Sequence, residues 1–272
     1  MEGMRYLVHG ATGAQGSPVS QLLLAAGHEV VGGVRHPAAG PGLDLADPAA
    51  LTAAYQGVDG VFLHLPLATP ARQTQYAQSA AVGLCTARPA RVVISTSGAA
   101  PTRGPLATLL TALTTAALPH AVVTPCLFLE NLLLPNVTEP LRAHGELRYP
   151  LPATLPVSWA SHGDVAAVVV ELLQRPAPTG VVGVGHLPAV TGPELAAACP
   201  PGPTGPVRYV ALSPQEFAAQ LPPALQGSAA GIQALYAHLG TLPALAIAPA
   251  TSAQEQLGLH PQPLAQWARQ HF

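Results

Sequence analysis

Through about Pro125, short apolar runs alternate with stretches of helical character, and this rhythm constrains the fold more than any other feature of the chain. "RYLVHG" reads as a strand, and Ser17 to Ala26 follow as a helix with Pro18 in its first turn, where a missing N–H costs nothing. "HEVVGGVR" is a second strand and "GLDL" a brief third, before "DPAALTAAYQG" enters a helix on Asp-Pro. "VDGVFLHLP", "RVVISTSG" and "HAVVTP" are further strands, separated by helices over Ala71 to Ala87 and Pro105 to Ala117. Parallel neighbours need long crossover connections, and continuous apolar runs suit a sheet covered on both faces. The expectation is a doubly wound parallel α/β sheet. After Phe128 the rhythm loosens into a Pro-rich stretch, a helix over "SHGDVAAVVVELLQRP", a late strand "GVVGVG" and short helices. This predicts a core over residues 1–127 and a smaller C-terminal α/β lobe over 128–272, interleaved with the end of the sheet.

The first strand runs straight into "GATGAQG", which places Gly10, Gly13 and Gly16 between strand and helix. Glycine there removes the Cβ atoms that would hold a pyrophosphate off the backbone amides, and the helix start adds partial positive charge. The spacing is G-x-x-G-x-x-G rather than G-x-G-x-x-G, so position at the first βα junction carries the reading of a dinucleotide loop. At the end of the second strand, "GGVRHP" offers Arg35 and His36 and no acid. An arginine there suits the 2′-phosphate of NADP, where an acid would take the 2′-hydroxyl of NAD. NADP is therefore the expected cofactor, with NAD as the alternative.

Composition narrows the chemistry. Hydrophobic residues make up 49% of the 272 and charged ones only 9%, yet the apolar runs are too short or too interrupted to supply the ~20 residues of a membrane span. All eleven cationic residues are arginines; without a lysine the chain has no catalytic lysine, Schiff base or Walker lysine. The net charge of −2 and the absence of a basic run give no electrostatic case for nucleic acid. Three scattered cysteines and an N-terminus without a charged leader lead to the expectation of a cytoplasmic protein. The histidines show no metal-binding spacing, so no metal is expected. Low charge density favours self-association, with a homodimer as the expected form.

"GATGAQGSPVSQLLLAAGHEVVGGVRHP" resembles the NmrA-like branch of atypical short-chain dehydrogenases/reductases, which holds NADP-sensing regulators, quinone reductases and triphenylmethane reductases. The likeness continues in order through "DLADPAALTAAYQGVDGVFLHLPL", "RVVISTSG", "VTPCLFLENLL" and "VSWASHGDVAAVVVELL" to "LGLHPQPLAQWARQ". It implies a Rossmann-like fold with Gly10, Thr12, Gly13, Ala14, Gln15 and Gly16 on the pyrophosphate. Arg35, with His36 beside it, would meet the 2′-phosphate, Asp44 and Leu45 the adenine, and His64, Leu65 and Pro66 the ribose. Ser95, Thr96, Ser97 and Pro125 would border the nicotinamide. Phe128, Glu130 and Asn131 would face the substrate.

Many short-chain dehydrogenases pair a tyrosine with a lysine four residues later, so that the tyrosine can move a proton as hydride moves. With no lysine in the chain, and no tyrosine between Arg91 and Pro125, that dyad is impossible. Two functions lead: reduction of a small quinone-like or aromatic acceptor that takes its proton from water, or a non-catalytic NADP(H) sensor that binds a protein partner; a sugar-nucleotide or isomerase-type relative stands behind them, since those also lean on the tyrosine–lysine pair.

Overall fold

The computed structural model describes residues 3–33, 42–66, 68–96, 98 and 102–272. In chain order it holds β1 (Arg5–His9), α1 (Gly16–Ala25), β2 (Glu29–Gly33), α2 (Pro48–Tyr55), β3 (Gly60–His64), α3 (Pro70–Ala87), β4 (Arg91–Ser95), α4 (Pro105–Thr115) and β5 (His120–Pro125). There follow β6 (Leu127–Phe128), α5 (Pro135–His144), β7 (Glu146–Tyr149), β8 (Trp159–Ala160), α6 (His162–Gln174) and β9 (Gly180–Val184). The remainder is α7 (Gly192–Ala197), β10 (Arg208–Ala211), α8 (Pro214–Ala219), α9 (Ala229–Leu239), α10 (Ala253–Leu257) and α11 (Leu264–His271).

The chain divides into two compact units. The first spans the residues up to Pro125 with His162–Gly183 and Ala250–Leu259, and the second takes Cys126–Ser161, Val184–Pro249 and His260–Phe272. In the first, six strands lie in the order β2-β1-β3-β4-β5-β9, and the pairs from β2 through β5 are parallel. This is the doubly wound, Rossmann-like sheet that the alternation predicts. One expected strand is absent: in "GLDL" only Gly42 makes a bridge. Asp44 turns the chain instead, accepting the Ala46 N–H on its carboxylate (2.9 Å) and the Asp47 N–H on its carbonyl (3.2 Å).

Strand alternation sends successive side chains to opposite faces. Leu7, Val61, Leu63, Val92 and Ile94 form one core with Leu51 and Tyr55 of α2, Leu84 of α3, and Leu109 and Leu113 of α4. Tyr6, Val8, Phe62 and Val93 alternate with them and are equally buried. On that side α1 packs against α6, and the Tyr6 hydroxyl donates to the Leu173 carbonyl at 3.2 Å. The helices start where the sequence places them: Asp47 caps α2 and Thr69 caps α3, each followed by proline.

The second unit is built around aromatic rings. Tyr149 packs edge-on against Trp159 and Tyr236 and contacts Phe217, and its hydroxyl lies 2.5 Å from that of Tyr236. The short parallel pairs β10–β7 and β6–β8 complete it. Helix α5 carries Pro140 in its interior; Pro135 at its first position and a left-handed Gly145 after it mark its ends. Among the described residues no helix is long and apolar enough to cross a membrane.

Leu84 is fully buried and Val82, two residues earlier on α3, is 52% exposed. Leu84→Ala is expected to lower the unfolding free energy by about 2–5 kcal/mol and Val82→Ala by less than about 0.5 kcal/mol, as read by urea denaturation.

Candidate functional site

The sheet order turns about β1, with β2 on one side and β3 on the other. Successive connections leave in opposite directions there, which opens a crevice at the carboxyl ends of β1 and β3 where such folds bind ligands. The glycine loop emerges at that point. Gly10 takes a left-handed φ of +62°; its N–H donates to the Gly33 carbonyl of β2 (2.9 Å) and its carbonyl accepts the Gly13 N–H (2.7 Å). The Ser17 N–H then reaches the Gly13 carbonyl at 2.9 Å, carrying the turn into α1. A Cβ on Gly16 would collide with the Gly10 carbonyl and stand 2.8 Å from the His9 carbonyl oxygen. A Cβ on Gly10 would stand 2.8 Å from His64 Nε2. Thr12, Gly13 and Ala14 are exposed at the crest of the loop.

Helix α1 begins without a side-chain cap and with no acid in its first turn. Its dipole is therefore not offset by a side chain, although the Ser17 N–H is already taken by Gly13 and Pro18 has none to offer. Gln15, at the cap position, is half-buried, and its Oε1 is shut off from water with no hydrogen-bond partner among the described residues. The bare glycine cradle and the uncapped helix start fit an anionic group lying against the loop, whereas the orphaned Gln15 Oε1 calls for a donor.

Behind the loop stands a group that sequence reasoning missed. His9, the last residue of β1, is 2% exposed, and its Nε2 lies 2.8 Å from the Tyr55 hydroxyl of α2. Burial, aided by nearby His64, pushes its pKa down to about 3; burial pushes the Tyr55 phenol up. Both stay neutral through the physiological range. An apolar strand ending in histidine immediately before a glycine turn was the available signal.

The other candidates in this unit fall into two groups. His64, Leu65 and Pro66 follow one another from the end of β3 and are half-buried. Leu45 and Leu65 pack on the core beneath the α2–α4 helices, while Asp44 is exposed in its turn. Ser95 and Thr96 are buried, and their hydroxyls are spent on backbone carbonyls: Ser95 Oγ on Thr96 (3.4 Å), Thr96 Oγ1 on Gly98 (2.5 Å) and Val123 (3.3 Å). The Pro125 carbonyl accepts the Gly98 N–H at 2.7 Å, tying the ends of β4 and β5 together. Arg35, His36 and Ser97 lie outside the described residues. In the second unit, Phe128 is half-buried on β6, and Asn131 hydrogen-bonds through its side chain to the buried Tyr149 hydroxyl.

Residues 10–118 match a family described as NAD(P)H-binding. Those residues form an NAD(P)H-binding domain. No curated protein matches the chain in sequence. Among solved structures, a nucleoside-diphosphate-sugar epimerase from Staphylococcus aureus superposes with a TM-score of 0.77 at 18% identity, covering 98% of this chain and 100% of that one. Triphenylmethane reductase of Citrobacter sp., solved with NADP(H), gives 0.75 at 17% identity, covering 98% and 100%. An NADPH-dependent quinone oxidoreductase from Escherichia coli, complexed with NADPH, gives 0.75 at 21%, covering 98% and 99%. At these identities the likeness is one of fold. Both reductase classes named by the sequence resemblance are among these neighbours of the NAD(P)H-binding domain.

Two outcomes follow. Gly16→Ala is expected to destabilise the fold by more than about 2 kcal/mol, because backbone rather than a movable side chain meets the new Cβ; thermal melting reads this directly. His9 keeps its proton off until about pH 3 when folded, whereas an unfolded imidazole takes one up near pH ~6.5. Its contribution to stability is thus full above ~6.5 and falls by about 1.4 kcal/mol per unit of pH below it. His9→Gln should flatten that acid limb by one proton in urea denaturation between pH 4 and 7.

Proposed function

We propose that the chain is an NmrA-like oxidoreductase that uses NADPH to reduce a small quinone-like or aromatic acceptor. The observation that carries this is the uncapped, acid-free start of α1 above the Gly10–Gly16 cradle, at the point where the sheet order reverses. Gly10, Thr12, Gly13, Ala14, Gln15 and Gly16 form the pyrophosphate loop: Gly10 and Gly13, whose N–H groups are engaged within the loop and with β2, shape it, and the amides of the others face the ligand. Arg35, with His36, takes the 2′-phosphate, Asp44 and Leu45 the adenine, and His64 to Pro66 the ribose. Ser95 to Ser97 and Pro125 shape the nicotinamide end, their role one of backbone form, since the Ser95 and Thr96 hydroxyls are already engaged. Phe128 and Asn131 serve the acceptor, Asn131 being oriented by Tyr149. Cofactor binding belongs to residues 1–127 and acceptor binding to 128–272.

When bound, the reduced nicotinamide supplies a hydride, and a quinone-like acceptor completes its reduction with a proton from water. The protein's share is to orient and to exclude water, with no tyrosine–lysine dyad to assist. The missing lysine also supports a second reading: a sensor whose affinity for a protein partner follows the NADPH/NADP⁺ ratio, as a cytoplasmic homodimer or otherwise.

Titration of the protein with NADPH and with NADH, followed by nicotinamide fluorescence, is expected to show tighter NADPH binding. Arg35→Ala should weaken NADPH by at least about tenfold and NADH little. Equal losses would remove the 2′-phosphate from Arg35. Loss of absorbance at the reduced nicotinamide band with a panel of quinones and cationic dyes tests the reductase. Retained binding without turnover would leave the sensor.

A further inference from the structure

The loop is short of fixed positive charge. Among the described residues from Gly3 to Gly33 the only lysine or arginine is Arg5, which opens β1 and pairs with Glu29 at 2.9 Å, and Arg35 lies outside the described residues. The strand therefore carries its cation at the end opposite the loop. Two histidines stand where the loop begins, and the fold treats them differently. His9 is buried at the carboxyl end of β1, bonded to Tyr55 and held neutral. His64 ends β3, is half-buried, and its ring occupies the space that a side chain on Gly10 would fill, with Nε2 2.8 Å from that Cβ position. Among the described residues, His9 of β1 and, behind it, Tyr55 of α2 are titratable groups on this side; the Phe62 ring lies 6.0 Å from the His64 ring, and Ser95 of β4 is its partner in register. A charge on His64 opposes one on His9, which burial already holds neutral.

We propose that His64 is a cofactor-contacting residue whose protonation accompanies dinucleotide binding: the pyrophosphate on the Gly10 loop draws a proton onto His64, and NAD(P)H affinity rises as pH falls. This rests on the cofactor reading above. The sign follows from linkage. A group that holds its proton more tightly in the complex than in the free protein makes binding stronger toward acid, and the dependence ends where both forms are protonated.

The experiment is calorimetric titration with NADH between pH 6 and 8, in two buffers of different ionisation enthalpy, for the wild type, His64→Gln and His64→Lys. NADH is chosen because its pyrophosphate does not titrate in this range, whereas the 2′-phosphate of NADPH has a second ionisation near pH ~6; NADPH is run in parallel. The wild type is expected to bind NADH about tenfold more tightly at pH 6 than at pH 8 and to take up a fraction of a proton on binding. His64→Gln should bind at the weaker level at every pH, and His64→Lys at a level that does not change with pH. Proton uptake by the wild type needs no variant, so a misfolded substitution leaves the test intact. Wild-type binding of NADH without proton uptake, or with a pH dependence that a folded His64→Gln retains, overturns the role of His64. Failure of both dinucleotides to bind at every pH overturns the cofactor reading, and this inference with it.

Discussion

The site depends on one backbone constraint: the chain must turn left-handed at Gly10, immediately beyond β1 and beside the end of β3. A positive φ there costs glycine little and any larger residue more. Because the residue lacks a side chain, the His64 ring can occupy the adjoining space, and the Gly10 carbonyl is free to accept the Gly13 amide that folds the loop. Gly16 obeys a related rule for a different reason, since the backbone at His9 and Gly10 leaves no volume for a Cβ. Gly13 is the most permissive of the three: the nearest atom to its Cβ position is a carbonyl oxygen at 3.2 Å. The three glycines thus do separate jobs, one conformational, one of access and one steric.

Much of this was legible in sequence because it is local. The βα alternation, Asp47-Pro48 and Thr69-Pro70 at helix starts, and the glycines at the first junction report on structure within a few residues of themselves. What was misread had a competing local signal. "GLDL" has strand-like leucines, but an aspartate between them can bond the backbone ahead of it, and the turn won. In α5 the interior Pro140 argues against a helix, and packing of Val137 and Leu141 in the second unit's core overrides it.

The role of His9 was hidden for another reason. Its burial is settled by Tyr55, 46 residues away, and by the placement of β3 beside β1, neither of which is a local property. Hydrophobic pattern makes the strand core-facing and says nothing about whether its last residue meets a partner. The same holds for Asn131. Sequence order places it after β5 and points toward a substrate cleft, and the fold gives its amide a hydrogen bond to Tyr149, which also meets Tyr236. A side chain held in this way is preorganised, so any contact it makes with a ligand is made without first losing rotamer freedom.

Charge economy links these features. With 9% of its residues charged and no lysine, the chain cannot gather cations around a phosphate as a more basic protein would. On the proposed reading it would rely instead on groups whose polarity comes from the fold: amides of the glycine loop and the dipole of an uncapped helix start. Backbone amides hold their polarity at every pH, whereas an imidazole responds to proton activity near neutrality. Burying His9 removes one imidazole from that response, while His64 stands half-buried beside the loop. The same scarcity bears on chemistry. A site without a lysine to lower a phenol's pKa is poorly equipped to protonate a carbonyl as hydride arrives, and an acceptor that takes its proton from solvent removes that requirement.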